Sequence, residues 1–576
     1  MTRARHWLIA HNGTDRYTEL SRSPLPSMAP SRPHVLLAAA LAAAVLWIAF
    51  FANAGALGLI GPDEPRYAAV ARTMAETGDW VTPRLNGQPW FEKPILYYWG
   101  AAAAFLALGE SEATARLPSA LAALLATAAM ALLCFRLYGA SGAYALLLIM
   151  PTLGLLLGFA HAASTDMLFT GTLTLALVLA AHILGDARTA TIPHALARGV
   201  PDRPRHVLWY AAWGAVLGLA VLAKGPAAVA LAGGSVALWA LVTRRWTEAL
   251  RLAHPAAVVG FVVVALPWYV LCAWRNPNFL QVFVIEHNVQ RFLTPVFEHR
   301  QPFWYFAAVL ALGLLPWTAL LVPVIRDMRG WRLADSRHHP EILAACWALV
   351  PLVIFSLSQS KLPGYILPSF PPIAWLMARV AARDANAGSS MLRRTLAIIG
   401  GGFAVLTVVA FGPLTYFSED ARLVLTDLHA PAAAPFVVAA GGVAIMVLAM
   451  RRQTWAALTL ISSLMVAILL TIGVVSVPAM DGRLTPRTAA STALAAAGNG
   501  PLYMDGMDRA WRYGLDYYTR QAIREWQGDT AGVLVTTPAR EQALRNRGDQ
   551  VEVLARVSTE AVVLRVTPTP DARIRK

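Results

Sequence analysis

The residues best suited to chemistry are a few charged side chains that interrupt long apolar runs. Asp63-Glu64-Pro65-Arg66-Tyr67 follows directly on the first such run, Trp90-Phe91-Glu92-Lys93-Pro94 comes next, and Ser164-Thr165-Asp166 opens another apolar stretch. Leu222-Ala223-Lys224-Gly225-Pro226, Glu286-His287-Asn288-Val289-Gln290-Arg291 and Ser360-Lys361-Leu362-Pro363-Gly364-Tyr365 complete the set. Lysine is otherwise almost absent. It occurs at Lys93, Lys224, Lys361 and Lys576 only, and arginine supplies the remaining positive charge. Each internal lysine has a proline within two residues. An ammonium is a compact, hydrogen-bonding point charge suited to a phosphate. Ionisable groups near membrane depth cost roughly a few kcal/mol or more unless paired or wet, so charges gathered there mark a site.

Each motif also has a plainer reading. Asp63 and Glu64 suit a helix N-terminus and Pro65 an early helical position. Tyr67, Val70, Ala71 and Met74 recur at helical spacing, which predicts a short amphipathic helix along the membrane surface, ending near Gly78. Tyr97-Tyr98-Trp99 beside Lys93 reads as an interfacial aromatic belt with a snorkelling lysine. A belt has no need of Glu92, so this segment also reads as a cation held beside a carboxylate, able to bind a lipid phosphate. Ser164-Thr165-Asp166 caps a helix, and Asp166 is the natural partner for Lys224, each reducing the other's cost of burial. Arg291 is a second phosphate-binding candidate. Glu286 and His287 are adjacent metal-ligand types without a third, a weak metal signal. Lys361 sits in a turn enforced by Pro363-Gly364, with Tyr365 placed to contact a headgroup.

The elements that position these groups follow from composition. The chain is 57% hydrophobic and 14% charged with a net charge of +15, which describes a polytopic α-helical membrane protein. Its arginines lie in short clusters between apolar runs, the pattern of membrane orientation, and this excludes a nucleic-acid binder. A span needs roughly 20 mostly apolar residues, a criterion that places about thirteen of them. They fall at 35–60, 113–134, 142–160, 166–184, 207–223, 225–242, 255–274, 303–325, 341–358, 364–382, 395–413, 432–450 and 455–477. The positive-inside rule then puts the arginine-rich loops in the cytoplasm and the motifs above on the outer, periplasmic face of a bacterial inner membrane.

Residues 1–34 read as an irregular cytoplasmic segment, 35–480 as the membrane domain with 61–112 as its first periplasmic loop, and 481–576 as a small periplasmic α/β domain. Nothing before Met28 reads as structure, so Met28 serves as well as Met1 for a start. The first run lacks a cleavage signature and reads as a retained helix. Cys134, Cys272 and Cys346 lie in apolar segments and pack as small hydrophobes. A lipid flippase or secondary transporter shares the many spans, but the sequence shows no internal repeat and its charges favour one membrane face.

Together these segments resemble the GT-C class of membrane glycosyltransferases. The similarity is strongest to the family that moves 4-amino-4-deoxy-L-arabinose from undecaprenyl phosphate to lipid A, related to protein O-mannosyltransferases. It rests on Asp63-Glu64-Pro65-Arg66-Tyr67, Gly78-Asp79-Trp80, Phe91-Glu92-Lys93-Pro94, Ser164-Thr165-Asp166, Leu222-Ala223-Lys224-Gly225-Pro226, Arg291-Phe292 and Ser360-Lys361-Leu362-Pro363-Gly364-Tyr365. The tail matches loosely, and residues 1–32 have no counterpart. The resemblance implies that Lys93, Arg291 and Tyr365 contact the donor phosphate, with Arg66 and Tyr67 beside the essential acid, Asp63, and Arg66 a further ligand for that phosphate. It implies Asp166 and Lys224 as a pair that joins Asp63 and Glu64 in the catalytic set, with Glu92 and Lys361 in support. The reaction would invert the anomeric carbon and release undecaprenyl phosphate. It would run as a monomer among membrane lipids, without a required cofactor, a divalent metal staying an option. The acceptor would be lipid A or another periplasmic group, and a different lipid-linked sugar passed to a hydroxyl is the alternative.

Overall fold

The computed structural model describes residues 32–185, 204–290, 301–411 and 433–569. The chain divides into two compact units, Met1–Ala44 and Val45–Lys576. The described part of the first is the apolar start of helix α1 (Arg32–Phe50); the rest of the described structure lies in the second.

Helix α2 (Asp63–Thr77) begins with two acids in its first turn and stops at Gly78, whose φ of 69° is strained for any residue with a Cβ. These are the limits expected from its spacing, but its apolar stripe meets protein instead of a membrane surface. Tyr67, Val70, Ala71 and Met74 are buried in a cluster that includes α3 (Leu96–Leu108). Tyr97 and Tyr98 on α3 are also fully buried, so this aromatic pair is core and not an interfacial belt. Aromatic rings there stack more area per residue than an aliphatic core would.

Ser111 and Thr114 form a capping box that starts α4 (Glu112–Ile149), a 38-residue helix interrupted at Gly139. Two expected spans are thereby merged. The second of them ends early, because Pro151 in the turn Met150–Thr152 cannot donate a helical hydrogen bond, and its remainder becomes α5 (Gly154–Ala160). Helices α6 (Thr165–Gly185), α7 (Pro204–Lys224) and α8 (Ala227–Thr243) keep close to the expected limits, with Lys224 closing α7. The span expected at 303–325 is two pieces, Tyr305–Gly313 and Trp317–Met328, bent by 104° with Pro316 in the break. The one expected at 364–382 starts as a 3-10 turn, Pro363–Ser369, before the helix Phe370–Asn386. Among the described residues seven helices are long and apolar enough to cross a membrane, or eight if the bent pair is one span. Leu36–Phe50, Leu96–Leu108, Ala227–Thr243 and Ala434–Met450 are apolar but shorter.

The last apolar helix runs to Leu484, and the chain beyond it forms an α/β layer. Its five-stranded sheet has the order Arg524–Glu525, Leu502–Asp505, Gly532–Thr536, Val562–Thr567, Gln550–Arg556. The first three strands are parallel and the last two join antiparallel. Side chains alternate along each strand, so Val533, Val535 and Val563 pack beneath the helices Arg487–Ala497 and Arg509–Thr519, while Leu534, Leu564 and Val566 face Leu544 and Trp526. This layer is tied to the loops around α2. The Tyr518 hydroxyl accepts from the Leu59 amide at 2.7 Å and Arg72 donates twice to the Tyr517 carbonyl at 3.0 Å, while Asp481, at the end of the preceding apolar helix, accepts from the Gly58 amide at 2.7 Å. All three cysteines are buried and unbonded.

Candidate active site

Arg66 is the centre of the first cluster. One Nη donates to Asp63, the other to Glu92 at 2.6 Å, and Nε reaches the Pro62 carbonyl at 3.1 Å. Burial alone would lower its pKa, but Glu92, then Tyr67 and Asp63, more than reverse that, and the guanidinium is held firmly charged. The side chain of Arg66 is 2% exposed and that of Asp63 is 53% exposed. Asp63 is therefore the face this cluster shows to the outside. Arg66, expected to bind the donor phosphate, has both arms committed to carboxylates and little open surface; it orients Asp63 and Glu92 instead. Tyr67 is likewise core, packed on Tyr97 and Tyr98 at 5.8 and 6.1 Å between ring centroids, and burial pushes its phenol well above its ordinary pKa. Its support for the site runs through packing. Lys93 Nζ lies 3.8 Å from the second oxygen of Glu92, the cation-beside-carboxylate arrangement read from the sequence. Next to it, a cleft of about 500 Å³ is lined by Trp90, Phe91, Glu92, Arg275, Asn276 and others.

Glu64 points the other way. Its carboxylate takes Arg116 Nε at 3.1 Å and Nη2 at 2.7 Å, the Ile60 amide at 2.8 Å and the Ala163 amide at 2.6 Å. Arg116 also donates to the Ala54, Leu57 and Gly58 carbonyls. With these partners and almost no exposure, Glu64 is a staple that fixes the start of α2 to α4 and to the loop before α6, which corrects its place among the catalytic acids. Arg116 escaped the sequence reading. The signal was there: a lone arginine on the outer side, at the mouth of an apolar helix, needs a buried partner. Glu64→Gln leaves that cation uncompensated and is expected to destabilise the fold by about 3–5 kcal/mol. Thermal unfolding in detergent reads this out; a wild-type midpoint for the variant would return Glu64 to the catalytic set.

The second cluster lies at the start of α6. Lys224, at the end of α7, forms an ion pair with Asp166, the partnership expected from their matching edges. The ammonium also sits 5.0 Å from the Tyr365 ring centroid and 5.5 Å from that of Phe169. Gly364 lets the 363–369 turn approach this closely, since a Cβ there would meet Asp166 Oδ1 at 2.8 Å and the Phe159 ring at 2.7 Å. Lys361 is buried and donates to the Ser358 carbonyl at 2.9 Å. It closes the loop that presents Tyr365. Glu286 lies on the irregular helix Gln281–Gln290, whereas Arg291 and the side chain of His287 lie outside the described residues. Among the described residues no three His, Cys, Asp or Glu side chains gather to hold a metal.

The arrangement is two carboxylate–cation clusters, one opening outward through Asp63 with Lys93 beside Glu92, and one built on the Asp166–Lys224 pair, with Glu64 bolting α2 to the loop between them. A family profile described as dolichyl-phosphate-mannose-protein mannosyltransferase matches residues 35–283. The crystal structure of ArnT from Cupriavidus metallidurans bound to undecaprenyl phosphate superimposes with a TM-score of 0.71 at 25% identity, covering 93% of this chain and 98% of that one. The chain has the GT-C fold and resembles the ArnT-like glycosyltransferases. The apo form of the same protein gives a TM-score of 0.72 at 25% identity, over 92% and 97% of the two chains. The undecaprenyl phosphate-alpha-4-amino-4-deoxy-L-arabinose arabinosyl transferase of Edwardsiella ictaluri is 33% identical over 355 residues, 61% of each chain. That of Pseudomonas aeruginosa is 32% identical over 364 residues, 62% of each. The chain thus spans about three fifths of the length of these curated relatives. With its apolar helices and this likeness it is a multi-pass membrane protein.

Proposed function

We propose that this protein is an inverting glycosyltransferase that moves 4-amino-4-deoxy-L-arabinose from undecaprenyl phosphate to lipid A, at the periplasmic face of the inner membrane. The observation that carries the proposal is the near-complete structural match to a chain bound to undecaprenyl phosphate, combined with a lysine and an outward carboxylate held together by the Arg66–Glu92 framework. In the reaction the acceptor oxygen attacks the anomeric carbon from the side opposite the donor phosphate. The bond from that carbon to the phosphate oxygen breaks as the new one forms, which inverts the centre. Negative charge grows on the departing phosphate, and Lys93, with Arg291 and Tyr365, is assigned to stabilise it. A lipid A phosphate is already ionised near neutral pH and attacks without a strong base; Asp63 then orients the acceptor or binds the sugar's ammonium.

We assign residues 35–480 to the membrane part and 481–576 to a periplasmic layer, in a monomeric enzyme. The match to the protein mannosyltransferase profile favours one second reading, transfer of another lipid-linked sugar to a hydroxyl, with Asp63 as general base. Mass spectrometry of lipid A from cells with and without the gene separates the two. A pentosamine-sized mass difference is expected; unchanged lipid A would transfer the weight to the hydroxyl acceptor.

A further inference from the structure

We infer that Tyr513, supplied by the C-terminal α/β layer, is a positioning residue of the reaction. Its ring closes the cage around the Arg66 guanidinium and so holds the carboxylates that Arg66 orients. The inference rests on the proposed transfer reaction, but not on which sugar is transferred.

A guanidinium that has spent its edge on Asp63, Glu92 and the Pro62 carbonyl still has two open faces. Three rings stand close to it, with centroids 5.6 Å (Tyr67), 5.4 Å (Trp90) and 5.1 Å (Tyr513) from Arg66 Cζ. Tyr67 and Trp90 belong to the same loop-and-helix segment as Arg66. Tyr513 is the nearest of the three and comes from the far end of the chain. Aromatic faces attract a cation while excluding water, and exclusion of water strengthens the two ion pairs that aim Asp63 outward.

The helix that carries Tyr513 is pinned where this role needs it. Asp508 caps its start by accepting from the Trp511 amide at 2.8 Å. One turn after Tyr513, Tyr517 receives Arg72 of α2 both on its carbonyl and over its ring, at 4.2 Å from the centroid. Tyr518 then takes the Leu59 amide just before α2. Two neighbouring residues of this helix, Tyr517 and Tyr518, thus bind the segment that bears Asp63 and Arg66, and the sheet behind it gives the helix a rigid backing. The C-terminal layer is by this geometry a wall of the reaction site and not an appendage to it.

The test uses the full-length protein in detergent with Tyr513→Phe and Tyr513→Leu, assayed with whichever polyprenyl-phosphate sugar the wild type consumes. Leucine keeps apolar bulk and removes the π face; phenylalanine keeps the face. Tyr513→Leu is expected to lower kcat about thirtyfold, the rate equivalent of one desolvated cation–π contact, with donor KM and unfolding temperature unchanged. Tyr513→Phe is expected to restore the rate. Wild-type kcat in Tyr513→Leu overturns the inference. So does a loss that tracks the unfolding temperature, or an equal loss in Tyr513→Phe. A wild type that uses a different sugar donor counts against the proposed function and leaves this comparison intact.

Discussion

Asp63→Asn is expected to lower the transfer rate by about a thousandfold while leaving folding and donor affinity near wild type. The substitution keeps the shape of the side chain and an oxygen for Arg66, so the guanidinium stays paired and Glu92 is not disturbed. The loss is a negative charge at the one position of the cluster that faces outward. Asp63 is half-exposed although its partner is buried, so its carboxylate is open to a substrate. If Asp63 is a base for a hydroxyl acceptor, general-base catalysis is removed. If it binds the sugar's ammonium, a charge aimed at the transition state is removed. Initial rates from purified protein, with thermal unfolding as the folding control, measure both quantities. A rate within tenfold of wild type would remove Asp63 from the chemistry.

Lys93→Arg, which preserves charge, is expected to cost about a hundredfold in kcat/KM. The Lys93 ammonium stands 3.8 Å from one oxygen of Glu92, whose other oxygen is taken by Arg66. An ammonium can share itself between that carboxylate and a departing phosphate, because its three donors point in different directions. A guanidinium is planar and matches a carboxylate with two parallel bonds, so it would be drawn onto Glu92 and away from the leaving group. Membrane insertion and yield should not change. Near-normal transfer by this variant would reduce the scarcity of lysine to an accident of composition.

The sites that could be read in the sequence were those where the chain puts a charge where a membrane protein avoids one. Lys224 and Asp166 were paired from their positions at the outer ends of adjacent spans, and the structure joins them. The limits of α2 were readable from its first-turn acids and Gly78. The roles of neighbouring residues were not. Asp63 and Glu64 are adjacent acids with the same chemistry, yet a helix turns successive side chains by about 100°, so one faces the outside and the other is buried against Arg116. Arg66 looked like a phosphate ligand because an arginine beside a site usually has a free edge; here two carboxylates occupy it.

Hydropathy has the same limit. It reports how apolar a segment is and not how it bends, so the breaks at Pro151 and Pro316 turned expected spans into shorter pieces. By itself the sequence determined the membrane class, the charge-bearing motifs, the α2 limits and the Asp166–Lys224 partnership, since each comes from local pattern and the energetic cost of charge near lipid. Only the tertiary structure decided which acid is exposed, that Arg116 staples Glu64, and that Tyr513 roofs Arg66. Those contacts join residues far apart in the chain, and no local periodicity encodes which buried charge finds which partner.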